Sequence, residues 1–254
     1  MSFYIFKIMT DFNSFVPLMG YSIYSGNLLG CVTDNKTLIN TINQYSYCIA
    51  EEDAAFKKAL LESDILLPDG IGIVVASRLL NNKKIKKIAG ADIHQHLLND
   101  LNQKKGKCFY LGSSQSTLNK IVERIKKEFP YIEIETFSPP YKNEFSDLDN
   151  QEMIERVNFF RPDVLFVGMT APKQEKWAYV HKDLLDTKVI CSIGAVFDFY
   201  AGTVIRPNKL WIKLGLEWFV RLIKEPKRMW KRYIYYGPVF IKLVIEKKIE
   251  NILK

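Results

Sequence analysis

The stretch KCFYLGSSQSTLNKIVERIKKEF, residues 107–129, decides the fold class. Lys107–Leu111 is a short apolar run with the length and aromatic content of a buried strand. Gly112-Ser113-Ser114 is a turn. Gln115–Phe129 then places Leu118, Ile121, Val122 and Ile125 on one face of a helix, with charges on the other. The same alternation extends in both directions. Downstream, Ile132–Thr136 reads as a strand, Asp149–Phe160 as a helix, Val164–Val167 as a buried strand, Pro172–His181 as a helix and Lys188–Ile193 as a last strand. Upstream, Leu28–Thr33 reads as a strand and Asp53–Leu61 as a helix with Asp53 at its N-cap. Asp64–Leu67 reads as a strand, followed by a turn at Pro68–Gly72, a helix through Leu80 and another helix after Gly90. Strands alternating with helices predict an α/β domain: a parallel, Rossmann-like sheet with helices on both faces.

Composition bounds the class. The chain has 254 residues, 48% hydrophobic and 25% charged, which suits a folded domain rather than a disordered chain or coiled coil. The N-terminus MSFYIFKIMTDF lacks the basic and apolar regions of a secretory signal. No run of 18 apolar residues exists, so no membrane span is expected. Cys31, Cys48, Cys108 and Cys191 are scattered, which predicts buried, reduced thiols in a cytoplasmic protein rather than disulfides or a zinc site.

The net charge of +8 is uneven. Residues 206–254 hold 13 Lys+Arg and 4 Asp+Glu, whereas residues 1–205 hold 23 and 24. The basic segment also carries Trp211, Trp218 and Trp230. In helical register Trp211, Leu214, Trp218 and Leu222 share a face, with Lys213, Arg221, Lys224, Lys227, Arg228, Lys231 and Arg232 interleaved. Cations and tryptophans on an amphipathic segment suit an anionic membrane surface. On charge alone the alternatives are a C-terminal helix packing its aromatics on the domain, and nucleic acid. The expected organisation is therefore an α/β catalytic domain over 1–205 and a basic, aromatic helical appendage over 206–254, divided near Gly202–Pro207.

Ligands of such sheets bind beyond the carboxyl ends of the strands. Pro68–Gly72, Gly112–Ser114 and Gly168–Lys173 are the loops there, where glycine and a helix N-terminus favour a phosphate. Gly70-x-Gly72 lacks a third glycine, since position 75 is Val, so a dinucleotide fingerprint is not met. Three such loops point to a nucleotide or nucleotide-sugar. Asp69, between Pro68 and Gly70, is either a helix cap or a general base. Asp198 lies between two phenylalanines, where an unpaired carboxyl would be raised by burial. Lys173 and Gln174 open a helix and reach toward a diphosphate or a sugar hydroxyl; the plainer alternative is an exposed first turn in which Glu175 favours the helix dipole. Asp147-Leu148-Asp149 reads as capping, and His94 and His96 point to different sides of a helix. No metal site and no cofactor are expected.

LLPDGIGIVVASRLL (66–80), KIAGADI (87–93), FYLGSS (109–114), PDVLFVGMTAPKQEKW (162–177), IGAVFDFYAG (193–202) and GLEWFVRLIKEPKRMWKRY (215–233) together resemble the WecG/TagA/CpsF glycosyltransferases, family 26, in order from about Asn43 to Tyr236. The resemblance implies inverting, metal-independent transfer of a sugar from a UDP-sugar to a polyprenyl-diphosphate-linked sugar in cell-surface polysaccharide synthesis. It implies an enzyme peripheral on the inner face of the bacterial membrane, with no role for nucleic acid. It makes Asp69 the base, matches Thr41, Asn43 and Gln174 to the family's site, and matches the basic tail to an appendage that contacts the membrane and closes the site. Lys87 stands where Arg is common and loses its bidentate fork; Ile193-Gly194-Ala195 stands where two glycines are usual. Gly70, Gly112 and Lys173 are expected to bind substrate, and helix N-termini, Lys87 and a tail arginine such as Arg221 or Arg228 are the candidates to stabilise the departing UDP. The rival from another class is a non-catalytic, membrane-associated subunit that binds a nucleotide-sugar. Protomers of a homo-oligomer would pair through a sheet edge or the apolar part of the tail, and the sequence fixes no number.

Overall fold

The computed structural model describes residues 14–31, 35–205, 208, 211 and 215–253. Arg206 and Pro207 of the expected domain boundary, and Lys213 and Leu214 of the expected stripe, lie outside them. A hairpin opens the described chain: β1 (Phe15–Leu18) pairs antiparallel with β2 (Tyr21–Tyr24). Its turn residues Met19 and Gly20 both have positive φ, 50° and 89°, as a two-residue loop matched to strand twist requires.

Six parallel strands follow. They are β3 (Thr37–Ile42), β4 (Ile65–Pro68), β5 (Lys107–Gly112), β6 (Glu133–Phe137), β7 (Val164–Gly168) and β8 (Val189–Ser192). Their order across the sheet is β4-β3-β8-β7-β5-β6. Every residue of β4, β7 and β8 is buried, as expected of strands covered on both faces. The side-chain period of two divides the core. Cys108 and Tyr110 of β5 face one cluster, with α4 (Gly90–Lys104), α5 (Gln115–Glu128) and α8 (Gly194–Tyr200). Phe109 and Leu111 face the opposite cluster, with α6 (Asp147–Phe160) and α7 (Lys173–His181). The expected α/β sheet with helices on both faces is present.

The N-terminal third differs from the sequence reading. Leu28–Cys31 forms a 3₁₀ turn rather than a strand, and Thr33 lies outside the described residues. The strand is instead β3, followed by α1 (Gln44–Glu52). Helix α2 (Ala54–Leu61) does start where expected: Asp53 caps it, its carboxylate accepting from Phe56 N–H at 2.9 Å. Helix α3 (Ile71–Asn81) leaves the end of β4.

Helix α9 (Glu217–Lys224) begins the C-terminal segment. Pro226 then starts α10 (Pro226–Trp230), at the helix position where its missing N–H costs nothing. A π-helical turn (Lys231–Tyr235) joins α10 to α11 (Tyr236–Leu253), making one helical run over 226–253. Tyr236, Phe240 and Val244 are buried in the same cluster as Tyr47 and Cys48 of α1. The Tyr47 and Phe240 rings meet edge-on at 5.6 Å. Burial of such side chains contributes about 1.5–3 kcal/mol each, so α11 is anchored by the domain's own core. On the other side of α11, Ile241, Ile245, Ile249 and Ile252 are exposed. All four cysteines are buried and free, as expected.

Candidate active site

β3 connects to β4 on one side, whereas β8 is reached from β7 on the other. A crevice is expected above neighbouring strands whose connections diverge. A cavity of about 470 Å³ lies there, over the carboxyl ends of β3, β4, β7 and β8, and C-terminal residues complete its wall.

Thr41 near the end of β3 lines the cavity, and so does Asn43 just beyond it. Asn43 also caps α1: its Oδ1 accepts from Tyr45 N–H and Ser46 N–H, both at 3.0 Å, while the Ser46 hydroxyl accepts from Asn43 N–H at 2.8 Å. This capping box fixes the amide's orientation. Asp69 follows β4, with its N–H bonded to Ile42 O at 2.8 Å, and its side chain is half-buried at the cavity wall. Gly70 N-caps α3 with φ 136°, a conformation for glycine, and a Cβ there would lie 3.0 Å from Gln44 Oε1. Ser113 (φ 59°) and Thr170 (φ 72°) line the cavity in the left-handed region, a cost that clusters at functional sites.

Across from these strand ends stand cations. Lys87 lines the cavity and pairs with Glu217 at 2.7 Å. Arg221, Arg228 and Arg232 line it too. Arg228 is exposed and pairs with Glu225 at 3.0 Å. Arg221 keeps a buried Nε with no hydrogen-bond partner among the described residues, and its guanidinium lies 5.3 Å from the Phe199 ring. Arg232 lies over Tyr45 at 4.6 Å. Burial holds Arg232 below the ordinary guanidinium value; Tyr45 opposes this, and the charges of Arg221 and Arg228 add to it. Tyr233, beside them, is raised by burial and feels the charge of Asp69. The C-terminal segment thus brings three arginines to the strand ends that carry the carboxylate.

Helix α7 enters from β7 and is not exposed at its start. Gln174 and Glu175 are only 5% and 3% accessible. Gln174 Oε1 accepts from Gly194 N–H at 3.1 Å, and its Nε2 donates to Glu175 Oε1 at 2.8 Å. Burial pushes the Glu175 carboxyl up to about 7, with Gln174 and then Arg232 among the opposing influences. Both residues line the cavity. Sequence reasoning assigned Glu175 no cavity role; its place beside Gln174 in a first turn is the only sequence signal for it.

Two expected contacts do not line the cavity. Lys173 turns outward, its ammonium donating to Lys142 O and lying 3.5 Å from the Phe145 ring. One helical residue is about 100° of rotation, so Lys173 and Gln174 cannot share a face. Gly112 (φ 120°) backs onto Gly168, whose carbonyl oxygen a Cβ would approach to 2.3 Å. It brings two strand ends together, and Ser113 takes the lining position. Asp198 borders the cavity, its Oδ1 accepting from the Thr203 hydroxyl at 3.5 Å. Asp149 closes the capping box of α6 and pairs with Lys142 at 2.7 Å. His94 is buried against Tyr110, at 2.6 Å, while His96 is half-exposed.

Residues 24–253 match the model of the glycosyl transferase WecG/TagA/CpsF family. The chain belongs to this family. The match extends the resemblance read from sequence at both ends. Among curated WecG/TagA/CpsF-like relatives, an N-acetylglucosaminyldiphosphoundecaprenol N-acetyl-beta-D-mannosaminyltransferase of Bacillus subtilis (strain 168) is 35% identical over 211 residues, 83% of this chain and 80% of the relative. A protein of the same name from Bacillus spizizenii is 32% identical over 185 residues, covering 73% of this chain and 70% of its own. One from Staphylococcus aureus (strain MW2) is 26% identical over 205 residues, 81% and 76% of the two chains. Lys87, in the loop before α4, is tied to Glu217, so the Gly215-Leu216-Glu217-Trp218 segment is held at the cavity by an ion pair.

Proposed function

We propose that the chain transfers N-acetylmannosamine from a UDP-sugar to an N-acetylglucosamine carried on a polyprenyl diphosphate, in one inverting, metal-independent displacement. What supports this most is the cavity itself, where Asp69 at the end of β4 faces Arg221, Arg228 and Arg232. The names of the relatives supply the sugar and the lipid-linked acceptor.

In the proposed step the acceptor hydroxyl oxygen bonds to the anomeric carbon as the bond to UDP breaks. Asp69 takes the hydroxyl proton, general base catalysis worth about 10²–10⁴ in rate. UDP leaves with added negative charge. The arginines, with Lys87 and the start of α3, meet that charge by preorganised electrostatics. Asn43 and Gln174, each held by its own hydrogen bonds, orient the sugars.

The segment after residue 205 is proposed as the part that closes the site and meets anionic lipid on the cytoplasmic face of the membrane. No helix among the described residues is long and apolar enough to cross a membrane. The exposed isoleucines of α11, with Lys242 and Lys248 among them, support contact along a surface.

The test is UDP release from UDP-N-acetylmannosamine and other UDP-sugars, with and without a polyprenyl-diphosphate-linked N-acetylglucosamine. Release that requires the lipid and collapses in Asp69→Asn is the expected result. UDP-sugar binding without release from any pair would favour a non-catalytic binding subunit.

A further inference from the structure

Several polar atoms around the cavity already have partners within the protein. Asn43 Oδ1 is taken by two backbone N–H groups, Gln174 Oε1 by Gly194 and Lys87 by Glu217. Gln44 Oε1, Ser192 Oγ, Arg221 Nε and Glu175 Oε2 line the cavity and are buried with no partner among the described residues, and of these Glu175 carries the one carboxyl. Its Oε1 accepts from Gln174, but its Oε2 is buried and has no hydrogen-bond partner. Arg232, whose charge reaches it, makes no ion pair with it and lies instead over Tyr45. The residue is 97% shielded from solvent, since its exposure is 3%, yet it lines the cavity. A buried carboxyl oxygen left unpaired costs free energy, and a partner entering through the cavity removes that cost.

We propose that Glu175 is a specificity residue, taking a sugar hydroxyl on its Oε2 while its Oε1 holds Gln174 in place. The inference rests on the transferase reading. A hydroxyl both donates and accepts, so it satisfies Oε2 whether the carboxyl is ionised or protonated. The arrangement also couples two contacts. Gln174 is pinned between Gly194 N–H and Glu175 Oε1, so its second amide hydrogen has a fixed direction. A sugar bound at Oε2 therefore meets Gln174 already oriented.

Donor and acceptor sugars both carry hydroxyls, and the experiment separates them. UDP release is measured for wild type, Glu175→Ala and Glu175→Gln. One arm uses UDP-N-acetylmannosamine and its 3-, 4- and 6-deoxy forms. The other uses the lipid-linked acceptor and its deoxy forms, omitting the hydroxyl that is glycosylated. The expected result is one deoxy position, on one of the two sugars, that lowers wild-type kcat/KM about 10–100-fold. The same deletion adds little in Glu175→Ala, because its partner is already gone. Glu175→Gln, whose amide can still meet a hydroxyl, keeps discrimination against that analogue. Equal deoxy penalties in active wild type and Glu175→Ala overturn the inference alone. A wild type that turns over no donor–acceptor pair overturns the transferase reading and this inference with it. Thermal melting of each variant confirms that it is folded, and Glu175→Met, similar in volume but unable to hold the hydroxyl, carries the test with the same two outcomes if Glu175→Ala does not fold.

Discussion

The two walls of the cavity are built on different physical terms. On the strand-end wall, functional groups are held by hydrogen bonds from their own neighbourhood: Asn43 by the start of α1, Gln174 by Gly194 and Glu175. On the C-terminal wall three arginines gather, with Glu225 paired to Arg228 and the rings of Phe199 and Tyr45 beside Arg221 and Arg232. The first wall is preorganised for geometry, which chemistry needs. The second gathers like charge, the charges of Arg221 and Arg228 adding to the burial that lowers Arg232. In the proposed reaction the first wall would serve the reacting centre and the second the leaving group.

On that division Asp69→Asn lowers kcat by about 10²–10⁴ with little change in KM for the UDP-sugar. A comparable loss in KM would break the comparison, because Asp69 would then be a binding residue. Phe240→Ala should destabilise the fold by about 3–5 kcal/mol, read by denaturant unfolding. Phe240 does not line the cavity, so any accompanying loss of UDP-sugar affinity reports how far the charged wall depends on the seating of α11. Arg232→Ala should weaken UDP binding by about 1.5–3 kcal/mol, the range for hydrogen bonds to charged groups. Calorimetry at two salt concentrations checks it, and an unchanged affinity would remove Arg232 from the anion site.

The smallest effect concerns Glu175. Its folded pKa is raised from 4.5 to about 7 by burial, so the stability that this group contributes is fullest below pH 4.5 and is lost as pH climbs through 7. Arg232 from the π turn and Gln174 on its own helix oppose the rise without cancelling it. Glu175→Gln carries no such proton. Its melting temperature relative to wild type should increase between pH 4.5 and pH 7.5, by about 2–8 °C. A pH-independent difference would mean that the carboxyl does not titrate in this range.

Much of the α/β layout was legible because its strands are apolar runs and its helices carry clean periodicity, as in residues 107–129. β3 was not legible. Its sequence TLINTI is broken by Asn40, which is fully buried and donates to the Ser63 hydroxyl at 2.9 Å. Only the fold supplies that partner, so the polar residue reads as a strand breaker in isolation. Asp69 was legible from its turn chemistry. The burial of Glu175 and the outward course of Lys173 were not, because the phase of a nine-residue helix follows from what packs on it. Arg232 could be counted among the basic residues but not singled out, since its direction depends on a π turn that residue types alone do not announce.

That π turn acts as a phase adjuster between two surfaces. It holds Arg232 and Tyr233 at the cavity while Tyr236, Phe240 and Val244 remain against α1. An ordinary helical turn in its place would leave one residue too many, and each residue is about 100° of rotation. Removing one residue from the turn would thus leave both helices intact yet swing one relative to the other, forcing the chain to keep either its guanidinium on target or its apolar seam closed. The length of this segment is as much a functional specification as any of its side chains.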